Sequence, residues 1–221
     1  MKEGKFLLMP WKNRVFFMRK TSKNIVRVSE ASLPTKFGKF KIFAYRTKNI
    51  PSAEHIALTL GNVQTMAPVL ARIHSRCLTG DVFGSLRCDC QEQLVLSLQR
   101  ISEKGSGVVV YLDQEGRGIG LQNKIRAYAL QDKGVDTVSA NENLGFAPDE
   151  RDFQVAGAIL SDLRVAVIDL LTNNPQKVES LRDSGILVNK RIPLQTEPNL
   201  YNRDYLLTKK HRLKHLLCLP E

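Results

Sequence analysis

Two short runs of almost uninterrupted apolar residues, GVVVYLD at 107–113 and VAVIDLL at 165–171, constrain the fold more than any other feature of the chain. A strand that is apolar on both faces must be covered on both. Each run leads into a glycine- or asparagine-rich junction and then a helical pattern. The spacing predicts helices over 91–103, where Leu94, Leu98 and Ile101 share a face and Gly105 ends the run, and over 119–132, ending at Gly134. Further helices are expected over 149–163 with Asp149 as cap, from Pro175 to Gly185, and over 201–217. Strands are expected at 40–46, 55–61, 69–75, 107–113, 165–171 and 186–192. Strands alternating with helices imply an α/β fold, a largely buried sheet with helices on both faces. The early strands have no helix between them, so the sheet is expected to be mixed rather than purely parallel.

With 221 residues, 43% of them hydrophobic, the chain suits one sizeable domain with a small appendage. No apolar run approaches the roughly 20 residues that cross a bilayer, so no membrane span is expected. The N-terminal apolar stretches are short and interrupted by Pro10 and Lys12, which is not the pattern of a secretory signal. A cytoplasmic location is expected. The net charge of +11 is local: residues 1–50 hold 13 Lys or Arg and 2 Asp or Glu, and the remaining residues hold 20 of each. The chain is expected to divide into a strongly basic extension, 1–27, and a domain, 28–221, whose charges balance from residue 51 onward. A nucleic-acid-binding fold would spread a basic face over the domain. No specific nucleic-acid partner is expected; the arm is a solvated segment able to contact anionic surfaces.

Three of the four cysteines, Cys77, Cys88 and Cys90, form a C-x10-C-x-C cluster, and Cys218 lies near the end. Clustered cysteines in a chain without secretory features more often bind metal than form disulfides. Three thiolates leave a fourth tetrahedral position on zinc for water, the arrangement of a catalytic site. A closed structural site would take its fourth ligand from His74 or Cys218, and three inert thiols are the third reading. Spacing does not choose among them. Thiolates weaken the activation of a zinc-bound water, so a nearby acid or base would help, and His74 and Asp89 are within a few residues.

Two junctions are directed at phosphate. In DQEGRGIGLQNKIR (113–126), Gly116, Gly118 and Gly120 would let backbone N–H groups approach an anion near a helix start, with Arg117 as a bidentate clamp. LLTNNPQK (170–177) repeats the logic with Pro175 and Lys177. In open α/β sheets, ligands sit at the carboxyl ends of strands. A third segment, APDERDF (147–153), places Arg151 among acidic residues, where it needs an anionic partner, either Asp149 or a phosphate.

The segments PVLARIHSRCLTGD, GSLRCDC, QEGRGIGLQNKIRAYALQDKGVDTVSAN, LGFAPDERDF and LLTNNPQKVESL closely resemble the GTP cyclohydrolase II family of riboflavin biosynthesis, over roughly residues 28–217. The resemblance implies opening of the GTP imidazole ring, with loss of formate from C8 and of pyrophosphate, to give a diamino-ribosylamino-pyrimidinone 5′-phosphate. It implies one zinc per subunit on Cys77, Cys88 and Cys90, a zinc-activated water, magnesium on the triphosphate, and a homodimer. Substrate contacts carried over by motif are Arg72, His74, Ser75, Arg76, Gln93, Glu115, Gly116, Arg117, Thr137, Thr172 and Lys177. Tyr128 matches a catalytic tyrosine, Asp149 the proton acceptor and Arg151 a nucleophile. A guanidinium stays protonated, so the chemistry of Arg151 favours a phosphate clamp oriented by Asp149. The dihydroxybutanone-phosphate synthase domain that often precedes this one is not expected in residues 1–27. The chain departs from the family where Arg76 replaces a glutamate, Asp113 an arginine and Gln91 a glycine. The first two are opposite reversals, expected to form a swapped ion pair. The alternatives are a divergent relative with altered substrate or product, or a noncatalytic nucleotide-binding protein.

Overall fold

A hairpin opens the described chain. The computed structural model describes residues 25–48 and 53–219, so most of the expected 1–27 extension lies outside the described residues. Strands β1 (Ile25–Thr35) and β2 (Gly38–Thr47) pair antiparallel. In their turn the Thr35 hydroxyl accepts from Phe37 N at 3.1 Å. Strand β3 (Glu54–Leu60) continues the meander. Then β4 (Val69–Ser75), β5 (Gly107–Leu112), β6 (Val167–Leu171) and β7 (Leu187–Ile192) complete a seven-stranded sheet of order β1-β2-β3-β5-β4-β6-β7. The pairs from β1 to β5 are antiparallel, and β5–β4, β4–β6 and β6–β7 are parallel. The sheet is mixed, as the bunched early strands imply.

The helices are α1 (Leu78–Asp81), α2 (Cys90–Lys104), α3 (Gly120–Gln131), α4 (Thr137–Asn143), α5 (Gln154–Asp162), α6 (Pro175–Asp183) and α7 (Arg203–His211). Successive strand side chains point to opposite faces. On β4, Ala71 and Ile73 join Ile159 and Leu160 of α5 and Leu181 of α6 in one core. Leu70 joins Val109 of β5 and Ile101 of α2 in the other. Helices therefore cover both faces. Truncating one such fully buried leucine to alanine typically costs about 2–5 kcal/mol, so these two cores hold the strand ends firmly. Local chemistry sets the helix limits. Gly105, in the left-handed region at φ 74°, terminates α2. Asn174 accepts from Gln176 N at 2.9 Å and Pro175 opens α6.

The structure corrects several sequence expectations. The helix expected over 149–163 begins at Gln154, and Asp149 is not its cap. The Asp149 carboxylate is taken by Arg151, while Asp152 accepts from Gln154 N at 2.8 Å. The helix expected over 201–217 stops at His211. Lys214 has a φ of 56°, and Leu216 N turns back to donate to the Asn173 carbonyl at 2.8 Å. Strand β1 was not anticipated and starts at Ile25, inside the segment assigned to the extension. Helix α4 was also missed, although Asp136 caps it by accepting from Val138 N and Ser139 N.

Candidate active site: a thiol trio in a cationic cleft

The parallel strands β4, β5 and β6 end at one cleft, whose walls carry residues from all three junctions, from α2, α3 and α4, and from the C-terminal segment. It is open to solvent at its mouth.

Cys77 follows β4, and Cys88 and Cys90 lie at the start of α2. Their sulfur atoms all lie within 4.8 Å of one another, and neither His74 nor Cys218 belongs to this group. Cys77 and Cys88 sulfurs are 3.7 Å apart. Gly80 makes this possible: an added Cβ would come within 2.8 Å of Cys88 Sγ and 3.1 Å of Cys77 Sγ. Hydrogen bonds from Cys88 and Cys90 pull the Cys77 thiol well below its ordinary pKa, and the same sharing pushes Cys88 up to about 11 and Cys90 up as well. Three thiols this close cannot all ionise without a cation between them, so the donor set fits a soft dication such as zinc.

Behind the trio, Asp81 collects three donors. Its Oδ2 accepts from Cys77 N at 2.9 Å and from the Tyr111 hydroxyl at 2.8 Å, and His74 Nε2 lies 3.0 Å from Oδ1. Burial lowers the pKa of His74 against the opposing hydrogen bond of Asp81. The Thr79 hydroxyl sits 3.1 Å from the Tyr128 hydroxyl and 3.7 Å from Cys77 Sγ, which places the tyrosine beside the thiols.

Eight lysines and arginines line the cleft against two carboxylates, Asp89 and Glu115. Buried Arg72 donates to the Leu171 carbonyl and to Gln93 Oε1, and Gln93 donates to Asp89 at 2.6 Å. Burial lowers Arg72 to about 10. Lys177 donates to the Ile73 carbonyl at 2.9 Å, and burial beside Arg72 and Arg151 pushes it well below the usual lysine range. That surplus of charge calls for an anion. Arg117 is held in the left-handed region at φ 62°, over the ring of Tyr205, and its Nη2 is buried without a partner, as are Arg72 Nε and Asn174 Nδ2. Strain of this kind at a non-glycine residue is typical of ligand clamps. Arg151 is paired with Asp149 through Nε–Oδ1 at 2.7 Å and Nη2–Oδ2 at 2.5 Å, and its Nη1 points to the Ser75 hydroxyl at 3.4 Å. Burial opposes the charge of Arg151, but the hydrogen bonds and charge of Asp149 outweigh it and raise the pKa above the ordinary value.

The candidate catalytic, metal and substrate-contact residues carried over by motif all line this cleft except Asp149, which reaches it through Arg151; Gly118, Gly120 and Pro175 of the two junctions do not line it. Thr137 and Thr172 are on its walls. Two placements differ in detail from expectation. Both Glu115 oxygens are engaged by the protein, with Leu78 N, Lys124 and Gly116 N as donors, so the Gly116 N–H is also occupied. Arg76 does pair with Asp113, at 3.0 Å. The sequence reading missed Lys124, Tyr205, Lys209 and His215. Lys124 sat unremarked inside QNKIR; the last three carry no local motif and reach the cleft only through the fold.

Comparison with known proteins agrees. The family model described as GTP cyclohydrolase II matches residues 26–193. A GTP cyclohydrolase-2 of Buchnera aphidicola is 52% identical over 190 residues, covering 86% of this chain and 97% of its own. One from Actinobacillus succinogenes is 53% identical over 193 residues, covering 87% and 88% respectively. A riboflavin biosynthesis protein RibBA from Chlorobium phaeovibrioides is 48% identical over 210 residues, 95% of this chain and 51% of that one. With three thiols in a cleft lined by eight cations and these matches over most of its length, the chain belongs to the GTP cyclohydrolase II family of enzymes.

Proposed function

We propose that this chain opens the imidazole ring of GTP for riboflavin biosynthesis, releasing formate and pyrophosphate and leaving 2,5-diamino-6-ribosylamino-4(3H)-pyrimidinone 5′-phosphate. The reading includes zinc on Cys77, Cys88 and Cys90, magnesium with the triphosphate, a homodimer and a cytoplasmic location. The observation that carries it is the three-thiol group, with no fourth Cys or His among the described residues, opening on a cleft lined by eight cations, of which Arg72, Arg117 and Lys177 have no salt bridge among the described contacts. The relatives' names point the same way. Zinc held by Cys77, Cys88 and Cys90 would supply Lewis-acid activation of water, tempered by the charge of three thiolates.

The chain's own residues do the rest. Arg117 and Arg72 offer free donors to the phosphates, and a phosphate beside Lys177 would favour the charged form that burial opposes. Arg151, held charged and aimed by Asp149, stabilises negative charge developing on a phosphoryl group. A guanidinium whose pKa is raised is poorly suited to nucleophilic attack, which favours the clamp. Tyr128, whose hydroxyl is 3.1 Å from that of Thr79 beside the thiols, would act as a proton donor in this reading. The test incubates the zinc-loaded protein with GTP and magnesium and assays formate and pyrophosphate separately. The expected result is about one zinc per chain and equal amounts of both products, with formate lost on chelation. Pyrophosphate without formate, or a protein that binds no zinc, overturns the reading.

A further inference from the structure

Lys124 has no part in the chemistry above, yet its placement is specific. It sits on α3 and is 8% exposed, and its ammonium is 3.1 Å from Cys77 Sγ and 2.7 Å from Glu115 Oε1. Its partner Glu115 is fixed in turn by Leu78 N at 2.6 Å and Gly116 N at 3.0 Å. Leu78 directly follows Cys77, so the carboxylate that aims the lysine is anchored to the same turn that carries the sulfur. Cys77 is thereby held from both ends, its amide by Asp81 and its thiol by Lys124. Cys88 and Cys90 have no lysine or arginine donor to sulfur among the described contacts.

Three thiolates around one dication leave one negative charge in excess, and that donation weakens the metal as a Lewis acid. Charged hydrogen-bond donors beside a ligand both fix its direction and draw charge from it. We propose that Lys124 is a positioning residue for the metal ligand Cys77: its N–H···S bond orients the sulfur and withdraws charge from it, and Glu115 sets where the ammonium stands. The inference rests on the metal reading of the three cysteines given above. It assigns to Lys124 a role that contact with GTP would not produce.

The test uses full-length protein loaded with cobalt in place of zinc, so that sulfur-to-metal charge transfer is visible. Removing the donor raises the energy of the Cys77 lone pairs. The Lys124→Met band is therefore expected at lower energy than that of the unsubstituted protein, and Lys124→Arg, which keeps a charged donor, is expected to move it back. On the zinc enzyme, Lys124→Met is expected to lower kcat for formate release about tenfold or more, with a smaller change in KM for GTP. If Lys124→Met does not fold, Lys124→Gln is read instead, with a smaller shift in the same direction expected. A band unmoved in the folded variant, or a loss confined to KM, overturns the role of Lys124 alone. Absence of any charge-transfer band in the unsubstituted protein overturns the metal reading, and this inference with it.

Discussion

Arg76 and Asp113 show how much a single pair of residues can carry. Their 3.0 Å contact stands at the cleft mouth with Arg76 42% exposed and Asp113 26% exposed. An exposed pair of this kind is worth about 0–1 kcal/mol in stability. Reverting either residue alone, Arg76→Glu or Asp113→Arg, is expected to reduce kcat/KM for GTP more than reverting both. A double-mutant cycle measures this, and additive losses would show that the two act independently. The same scale shows what was readable in the sequence. The cysteines, Arg151 and Lys177 announce themselves because sulfur ligands, and cations at strand ends, are locally patterned. Lys124 does not: at one helical turn into α3 it looks like a solvated lysine, and only the packing of α3 against the Cys77 turn buries it.

Helix α7 is the element whose contribution was hardest to foresee. It lies beyond residue 193, where the family match ends. Its Lys209 nevertheless donates to Asp89 at 2.6 Å, between two of the three cysteines, and lies over the ring of Tyr205. Breaking a buried pair by removing one partner typically costs about 3–5 kcal/mol. Lys209→Met is expected to lose stability of that order in urea unfolding, and a change under about 1 kcal/mol would show that α7 is not pinned there. Elsewhere the elements followed the sequence where the signal was strong. The runs at 107–113 and 165–171 are buried strands, and Gly105 and Pro175 bound helices as their conformations require. The failures came from side chains with a choice of partner. Asp149 could cap a helix or pair with an arginine, and the nearby Arg151 won.

At the scale of the whole molecule, charge is distributed in two very different ways. The cleft concentrates cations around His215, which burial and the nearby Lys209, Lys177, Arg151 and Arg117 hold down to about 2. Burial also lowers His55, against the opposing charges of Asp113 and Asp152. Both histidines have folded pKa values below the unfolded value of about 6.5. The unfolded chain therefore binds more protons below that pH, and stability falls as pH falls from about 6.5 toward 2. Each such group contributes a slope of up to about 1.4 kcal/mol per pH unit. Urea midpoints between pH 7 and 5 should show this decline, with a shallower slope for His215→Asn; an unchanged slope would remove His215 from the account. The sheet itself has a longer consequence. Ser75 of β4 lies opposite Leu112 of β5 in the parallel register, so Arg76 and Asp113 are the next step along neighbouring strands. Reversing the charge at either position alone would therefore set two like charges against each other on adjacent strand ends, and reversing both would restore the attraction.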